Sequence, residues 1–380
     1  MLGLKNFFKK ITKEGKGAHK PDKPLIIAVI IALVFGLLML ASASAVVAYI
    51  KFENSYYYLE KQLLFTLVGL FFLFIFSKIN YRFWRKNALY FLLGSIVFLI
   101  LVFIPGLRAN YGSASSWIEI FGFSLQPSEF VKLSFLIYLA AWLEAKQSQV
   151  KDAHQVFWPF LIILGVIAFL MYKQPDLGTL SIIAFSSLVV IFVSGVKKRL
   201  LIGFVIVIAL LGYGIVSTNE YQANRFKCMQ DPSFSPRYIC YQINQSLIAV
   251  GSGGLEGRGL GESRQKFLYL PEVSADAIFP IISEEIGFIF SLLFISLFIF
   301  IFYRGIIISK KIDDNFGSLL SLGIVTWIII QVFLNIGGMI ALVPMTGVPL
   351  PFVSAGGSSI IALLMAMGIL INISKYARDR

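Results

Sequence analysis

Apolar residues fill this chain in long blocks, and polar residues gather in the short intervals between them. Crossing ~30 Å of hydrocarbon as a helix takes about 20 mostly apolar residues. Ten blocks meet that length or approach it with their flanks: about 25–49, 62–77, 89–105, 128–145, 157–173, 177–195, 199–217, 279–303, 318–341 and 355–374. The pattern predicts an all-α, polytopic membrane protein with about ten transmembrane helices. Its polar interruptions are a basic tail over 1–24, a long loop over 218–278, and two shorter segments, 106–127 and 342–354. Residues 25–380 read as a single transmembrane domain without an internal repeat. Pro344, Pro349 and Pro351 remove backbone donors, so 342–354 is expected to re-enter the bundle or cap its mouth rather than continue a helix.

Composition agrees with that reading. Hydrophobic residues make up 58% of the chain and charged residues 14%, against about 25% charged in a soluble domain. A soluble fold could not hide 36 Phe; a bilayer can. In a ten-span arrangement with the N-terminus inside, 22 of the 33 Lys and Arg residues fall on the inner side. The bias of Lys and Arg toward cytoplasmic loops therefore puts both termini in the cytoplasm and the 218–278 loop outside. The net charge of +13 is mostly this orientation signal, with some attraction to anionic lipid heads; nothing in it points to nucleic acid. Ala43-Ser44-Ala45 resembles a signal-peptidase site, but the apolar run continues through Tyr49, too long for a signal core. The first helix is expected to remain uncleaved.

Two Cys and two His exclude whole classes of chemistry. His19 and His154 lie far apart on the inner side, so neither a zinc cluster nor an outer Ser-His-Asp triad can be assembled. Cys228 and Cys240 share the outer loop and point to a disulfide, the alternative being two independent thiols. A bridge would close about a dozen residues, worth roughly 3 kcal/mol in the chain-entropy model, and is expected to be structural and dispensable for chemistry.

The most conspicuous polar segment is Gly251–Gly261, with six glycines, followed by Gln265-Lys266, Tyr269-Leu-Pro-Glu272 and Asp276. It reads as a polar working surface on a membrane protein, through backbone NH groups near a phosphate or as a lid or hinge. It lacks the Gly-Lys-Ser/Thr of a nucleotide loop. Glu129 and Lys132 lie one helical turn apart at the start of the fourth span, a costly placement that marks function or helix–helix adhesion. Asp176 reads as the cap of the sixth span. Asp276 has two readings: an N-cap for the eighth span, or a base placed where water-borne and lipid-anchored groups meet. Glu272, four residues earlier, would raise its affinity for a proton.

Gln126-Pro-Ser-Glu129 with Lys132, Gln174-Pro-Asp-Leu-Gly-Thr179, Tyr241-Gln242 with Gln245-Ser246, Leu270-Pro-Glu272 with Asp276, Glu284-Glu285, and Pro349–Ser354 with Gly356-Gly357-Ser358 together resemble the SEDS family, the bacterial shape, elongation, division and sporulation proteins. The resemblance spans about 25–375. Ser42–Ala45 and Gln265-Lys266 resemble the division branch more than the elongation branch. The chain departs from the family pattern at Ser116, Ser274-Ala275, Ala277 and Ala355.

The resemblance implies a peptidoglycan glycosyltransferase that polymerises lipid II, an undecaprenyl-pyrophosphate-linked disaccharide peptide, at the outer face of the cytoplasmic membrane during division. The alternatives are a precursor flippase, an elongation-branch polymerase, or a scaffold that positions a division partner. It implies Asp276 as catalytic base. It also implies substrate binding by Glu129, Lys132, Trp117, Gln126, Ser128, Gln242, Gln245, Ser246, Glu272, Glu285, Ser354, Gly356 and Gly357. A pyrophosphate is already a good leaving group, so one carboxylate suffices, unlike the pair in a glycoside hydrolase. Lys132, Arg225, Arg258, Arg264 or Lys266 would supply positive charge to the departing group. No cofactor is required, although a divalent cation could share that role. The implied partners are a class B penicillin-binding transpeptidase, other divisome membrane proteins and membrane lipid, with the protein at the septum. Spans eight and nine, Phe279–Phe302 and Leu319–Ile340, are expected to present apolar stripes to the transpeptidase.

Overall fold

The computed structural model describes residues 19–106, 116–120, 123–149, 155 and 158–378. Most of the expected tail, Tyr111–Ser115 and His154 lie outside the described residues. Thirteen α-helices are found among them: α1 (Lys23–Phe52), α2 (Tyr57–Lys78), α3 (Arg82–Lys86), α4 (Ala88–Leu101), α5 (Pro127–Ala145), α6 (Trp158–Lys173), α7 (Leu177–Val193), α8 (Lys198–Thr218), α9 (Glu220–Gln230), α10 (Tyr241–Ser252), α11 (Ile278–Lys311), α12 (Asn315–Met339) and α13 (Gly357–Ser374). All but the short α3, α9 and α10 coincide with the ten apolar blocks. Six of them (α1, α2, α8, α11, α12 and α13) are long and apolar enough to cross a membrane by length and composition, and α4, α6 and α7 are shorter apolar helices. A two-stranded antiparallel hairpin, β1 (Ile118–Ile120) and β2 (Phe123–Leu125), pairs Ile118 with Leu125. That hairpin is the departure from an all-α chain.

The helix ends follow capping chemistry. Asp22 accepts from Leu25 N at α1, Asp176 from Thr179 N at α7, and Asp314 from Gly317 N at α12, each satisfying an orphan donor. The capping role expected of Asp176 is the one observed. α1 runs unbroken through Ala43-Ser44-Ala45.

Lipid tails are as apolar as Leu, so helices in a bilayer associate by close packing rather than by escape from water. Accordingly α2 and α13 meet at glycines. A Cβ on Gly69 would come 2.6 Å from Leu364 Cδ1, and one on Gly368 would come 2.6 Å from the Leu73 carbonyl oxygen. α12 lies at the centre, with Leu320, Ile324, Val325 and Trp327 all buried. α8 lies at the edge, and Phe204 is the one fully buried side chain among its described residues. The segment 342–354 re-enters: Val348, Leu350, Phe352 and Val353 are buried, and the Phe352 carbonyl sits against Gly36 in the middle of α1, where a Cβ would clash with it.

The expected pair of partner-facing stripes is corrected here. α11 exposes Phe288, Ile289, Phe290, Leu292 and Leu293, but nearly all of α12 is inside the bundle, with Phe333 and Ile340 its exposed large apolar side chains. Helix-facing and lipid-facing positions are equally apolar in a membrane, so hydropathy could not separate the two helices.

Candidate active site

Asp276 ends the long loop two residues before α11. The turn that delivers it is built on Glu272, in left-handed conformation with φ 54°, whose carbonyl accepts from Ala275 N at 3.0 Å and Ala277 N at 3.1 Å. The N-cap position of α11 is Ala277, with no side-chain cap bond. The carboxyl of Asp276 is thus not used for capping. It turns toward α10, where Gln242 Nε2 donates to Oδ1 at 3.4 Å. It also turns toward Gly347, φ +71°, where a Cβ would lie 3.8 Å from Oδ2 and 3.9 Å from a guanidinium nitrogen of Arg225. Asp276 and Arg225 therefore converge on one bare stretch of backbone. Arg225 is aimed there by α9: it donates to the Tyr221 hydroxyl at 2.6 Å and stacks over that ring at 4.5 Å.

A cavity of about 540 Å³ opens beside this pair, lined by Tyr221, Asn224, Arg225, Tyr238, Gln242 and Met345 among others. Burial pushes the Asp276 carboxyl up to about 6, and the Glu272 charge adds to the rise, against the opposing pull of Arg225 and the Gln242 bond. A carboxylate poised there holds a proton weakly enough to release it and strongly enough to take one. Cys228 and Cys240 are bonded, tying α9 to the start of α10 and so holding Arg225 and Gln242 in one unit.

Behind the carboxyl runs a buried polar chain. Asn335 Nδ2 donates to the Asp276 carbonyl and to the Val348 carbonyl, each at 2.8 Å. One turn away, Gln331 Nε2 donates to the Pro349 carbonyl at 2.8 Å, while its Oε1 accepts from Trp327 Nε1 at 2.7 Å and Lys132 Nζ at 3.0 Å. Lys132 pairs with Glu129 at 2.8 Å, both side chains at most 2% exposed, and lies 4.8 Å over the Trp327 ring. The Glu129–Lys132 pair is therefore placed behind the re-entrant segment, which it braces through Gln331.

The glycine segment proves to be a splice. α11 breaks at Gly287, φ 75°, freeing carbonyls before the break and amides after it. Arg258 N and Gly259 N donate to the Glu284 and Glu285 carbonyls at 3.0 Å, and Phe288 N and Ile289 N donate back to Gly254 and Leu255 carbonyls at 2.9 and 3.2 Å. Backbone meets backbone so closely that a Cβ on Gly253, Gly257 or Gly287 would clash. The expectation of a free working surface is corrected for the middle of the segment: the Gly257, Arg258 and Gly259 amides are already bonded to protein carbonyls.

Side chains lock the splice. Glu284, 1% exposed, accepts from Ser263 Oγ at 2.5 Å, Ser252 Oγ at 3.2 Å, Arg264 N at 3.1 Å and Gln265 N at 3.2 Å, and pairs with Arg258 at 3.4 Å. Lys266 Nζ, buried, pairs with Glu285 at 2.9 Å and donates to Ser42 Oγ at 3.1 Å and the Gly261 carbonyl at 2.5 Å. Lys266 and Glu285 are thus pins between α1, the loop and α11.

Other candidates also fall outside the Asp276 cavity. Gln126 and Ser128 donate to Asp176 at 3.1 and 2.6 Å. Ser354 Oγ accepts from Leu350 N at 2.8 Å, and Gly356 N donates to buried Gln62 at 3.0 Å. A Cβ on Gly357 would press on Phe65 at 2.7 Å. Ser246 Oγ bonds back to the Gln242 carbonyl at 2.8 Å, steadying the helix that carries Gln242, with Gln245 on the same helix. Trp117 is half-buried at the root of the hairpin, and the Arg264 side chain is exposed. Gln331, Asn335 and Gly347 were missed, although two amides four residues apart in an apolar span are a readable signal. Among the described residues, no three His, Cys, Asp or Glu side chains gather to hold a metal ion.

The FtsW/RodA/SpoVE family model, described as cell cycle protein, matches residues 23–379. Stage V sporulation protein E of Bacillus subtilis (strain 168) is 41% identical over 359 residues, covering 94% of this chain and 98% of that protein. A probable peptidoglycan glycosyltransferase FtsW of Geobacter metallireducens is 36% identical, covering 94% of this chain and 96% of its own. Among solved structures, a chain from a peptidoglycan synthase complex superposes with a TM-score of 0.76 at 23% identity, covering 93% of this chain and 97% of that one. The rod shape determining protein RodA of Thermus thermophilus superposes with a TM-score of 0.69 at 24% identity, covering 94% and 98%. At that identity the structures show the shared fold.

Proposed function

This chain belongs to the FtsW/RodA/SpoVE family of cell cycle proteins, and on that footing we propose that it is a division-type peptidoglycan glycosyltransferase that polymerises lipid II. The observation that carries the reading is the Asp276 carboxyl, raised to about 6 and set beside Arg225 and Gln242, which line an open cavity. In the reaction a sugar hydroxyl oxygen of one lipid-linked substrate attacks the anomeric carbon of the other. Its proton passes to Asp276 as the carbon–oxygen bond to the lipid pyrophosphate breaks. The bonding pair leaves with the pyrophosphate, whose charge Arg225 offsets. Gln242 orients the carboxylate through its 3.4 Å bond. A divalent cation, if used, would be held mainly by pyrophosphate oxygens, since no carboxylate cluster is provided among the described residues.

The positive-inside bias supports an Asp276 face outside the cytoplasmic membrane with both termini inside, and the division-type reading supports a location at the septum. A class B penicillin-binding transpeptidase is the partner we assign to the exposed face of α11. Purified protein in phospholipid bilayers, given fluorescent lipid II, should form long glycan strands. Lipid II crossing the bilayer without polymer would instead identify a flippase, and neither outcome a scaffold.

Replacing Cys228 and Cys240 together with serine should leave maximal polymerisation nearly unchanged but raise the KM for lipid II several-fold. The bridge between residues 12 apart braces Arg225 and Gln242 without touching the reacting atoms. An unchanged KM would detach the bridge from the site.

A further inference from the structure

On the face opposite Asp276, the residues before α1 cross the end of the bundle as a strap. His19 N donates to the Lys375 carbonyl at 2.7 Å and Asp22 N to Ser374 Oγ at 3.0 Å, and Asp22 pairs with Arg304. Beside the strap, between α1, α2 and α13, opens a cavity of about 710 Å³. Ile26, Leu73, Phe74 and Ile371 give it an apolar wall, while Lys20, Lys78 and Lys375 stand among its lining residues with no Asp or Glu. Lys20 and Lys78 are exposed at the rim, and Lys78 lies 5.5 Å over the Phe74 ring. A second cavity, of about 300 Å³, shares His19, Lys20 and Pro21 and adds Lys23 and Lys311 together with Asp22, which pairs with Arg304, and Arg378, which pairs with Asp313.

Helix dipoles account for part of this charge. Lys78 and Lys375 stand at the C-terminal ends of α2 and α13, where a cation is favoured. Lys20 and Lys23 stand at the N-terminal end of α1, where a cation is disfavoured. The positive-inside bias accounts for the sign of charge on this face; what the fold adds is to set Lys20 and Lys78 around one cavity with an apolar wall. A soluble anion would leave the apolar wall unmatched, and a zwitterionic lipid would bring its own cation against the lysines.

We propose that this cavity binds an anionic phospholipid, its phosphate between Lys20 and Lys78 and an acyl chain along Ile26, Leu73 and Phe74. The site is separate from the Asp276 cavity, so its occupancy can be read without an activity assay. In native mass spectrometry of the delipidated full chain, phosphatidylglycerol should be retained well above phosphatidylcholine, and glycerol 3-phosphate at equal concentration should not displace it. The Lys20→Gln/Lys78→Gln double variant should bind phosphatidylglycerol about 30-fold more weakly, from roughly 1 kcal/mol per basic residue near a lipid surface and 1.4 kcal/mol per factor of ten. Ile26→Trp, which fills the wall and keeps every lysine, should lose the same lipid. Phosphatidylglycerol binding unchanged in either variant, equal retention of phosphatidylcholine, or displacement by glycerol 3-phosphate would each overturn the proposal.

Discussion

Asp276→Asn should lower glycan polymerisation by about 100-fold or more, the usual range for a lost general base, while the protein folds, inserts and is purified as wild type. The substitution keeps the shape of the side chain and can still meet Gln242, but it removes the carboxylate that Gln242 and Arg225 flank and that is to accept the hydroxyl proton. Stability should move the other way. The folded-state carboxyl, at about 6, lies above its ordinary value of 3.8, so ionising it is harder in the folded chain than in the unfolded one. Its presence therefore makes the wild type less stable above pH 6 than below pH 4, with the change between those values. The Asn variant should lack that slope and melt no lower than wild type at neutral pH. A variant that polymerised normally would move the base elsewhere, with Glu272, exposed four residues before Asp276, the next carboxylate to test and the earlier candidate Glu129 set aside by its buried pairing with Lys132.

Gly287→Ala should be a severely damaging single methyl. Alanine resists φ 75°, and its Cβ would collide with the backbone of Glu256 and Gly257. Strain in the left-handed region and enforced overlap each cost about 1–3 kcal/mol. The loop cannot yield, because Glu284 and Lys266 anchor it from both sides. Gly251→Ala is the matched control, since nothing lies within 4 Å of a Cβ there. Thermal melting in detergent should show a large loss for Gly287→Ala and almost none for Gly251→Ala. Equal melting of the two would mean that the splice is not a fixed part of the fold.

These two residues mark the boundary of what the chain discloses in one dimension. The ten long apolar helices were legible because each is an apolar run bounded by Lys, Arg, Pro or Gly, and a helix is the physical solution for such a run in a bilayer. Asp176 was legible as a cap because capping is local: it needs only Thr179, three residues on. The break at Gly287 was not legible. A glycine in an apolar helix carries no mark that its amide neighbours will be served by residues 254–259. The six glycines of that segment looked free for the same reason, since their partners lie about 30 residues ahead.

Charge was the harder reading. Lys266 and Glu285 each alone resembled a ligand for substrate; together, and with Ser42 from α1, they satisfy one another. Glu129 and Lys132 were rightly paired by their spacing, yet the Gln331 and Trp327 that hold them lie some 200 residues away. Arg225 had no local feature to distinguish it from Arg258 or Arg264. Only the fold brings it beside Asp276 and leaves the others on the splice or exposed.

The central claim, that the Asp276 carboxylate takes the proton, is tested most directly by the pH dependence of polymerisation at lipid II well below its KM, where kcat/KM reports the free protein's groups. The account predicts a rate that rises about tenfold per pH unit at low pH, breaks near 6 where the carboxyl titrates, and is level above, with the break absent from the residual activity of Asp276→Asn. A rate that is flat from about pH 5 to about pH 8, or a break that persists in the Asn variant, would contradict it.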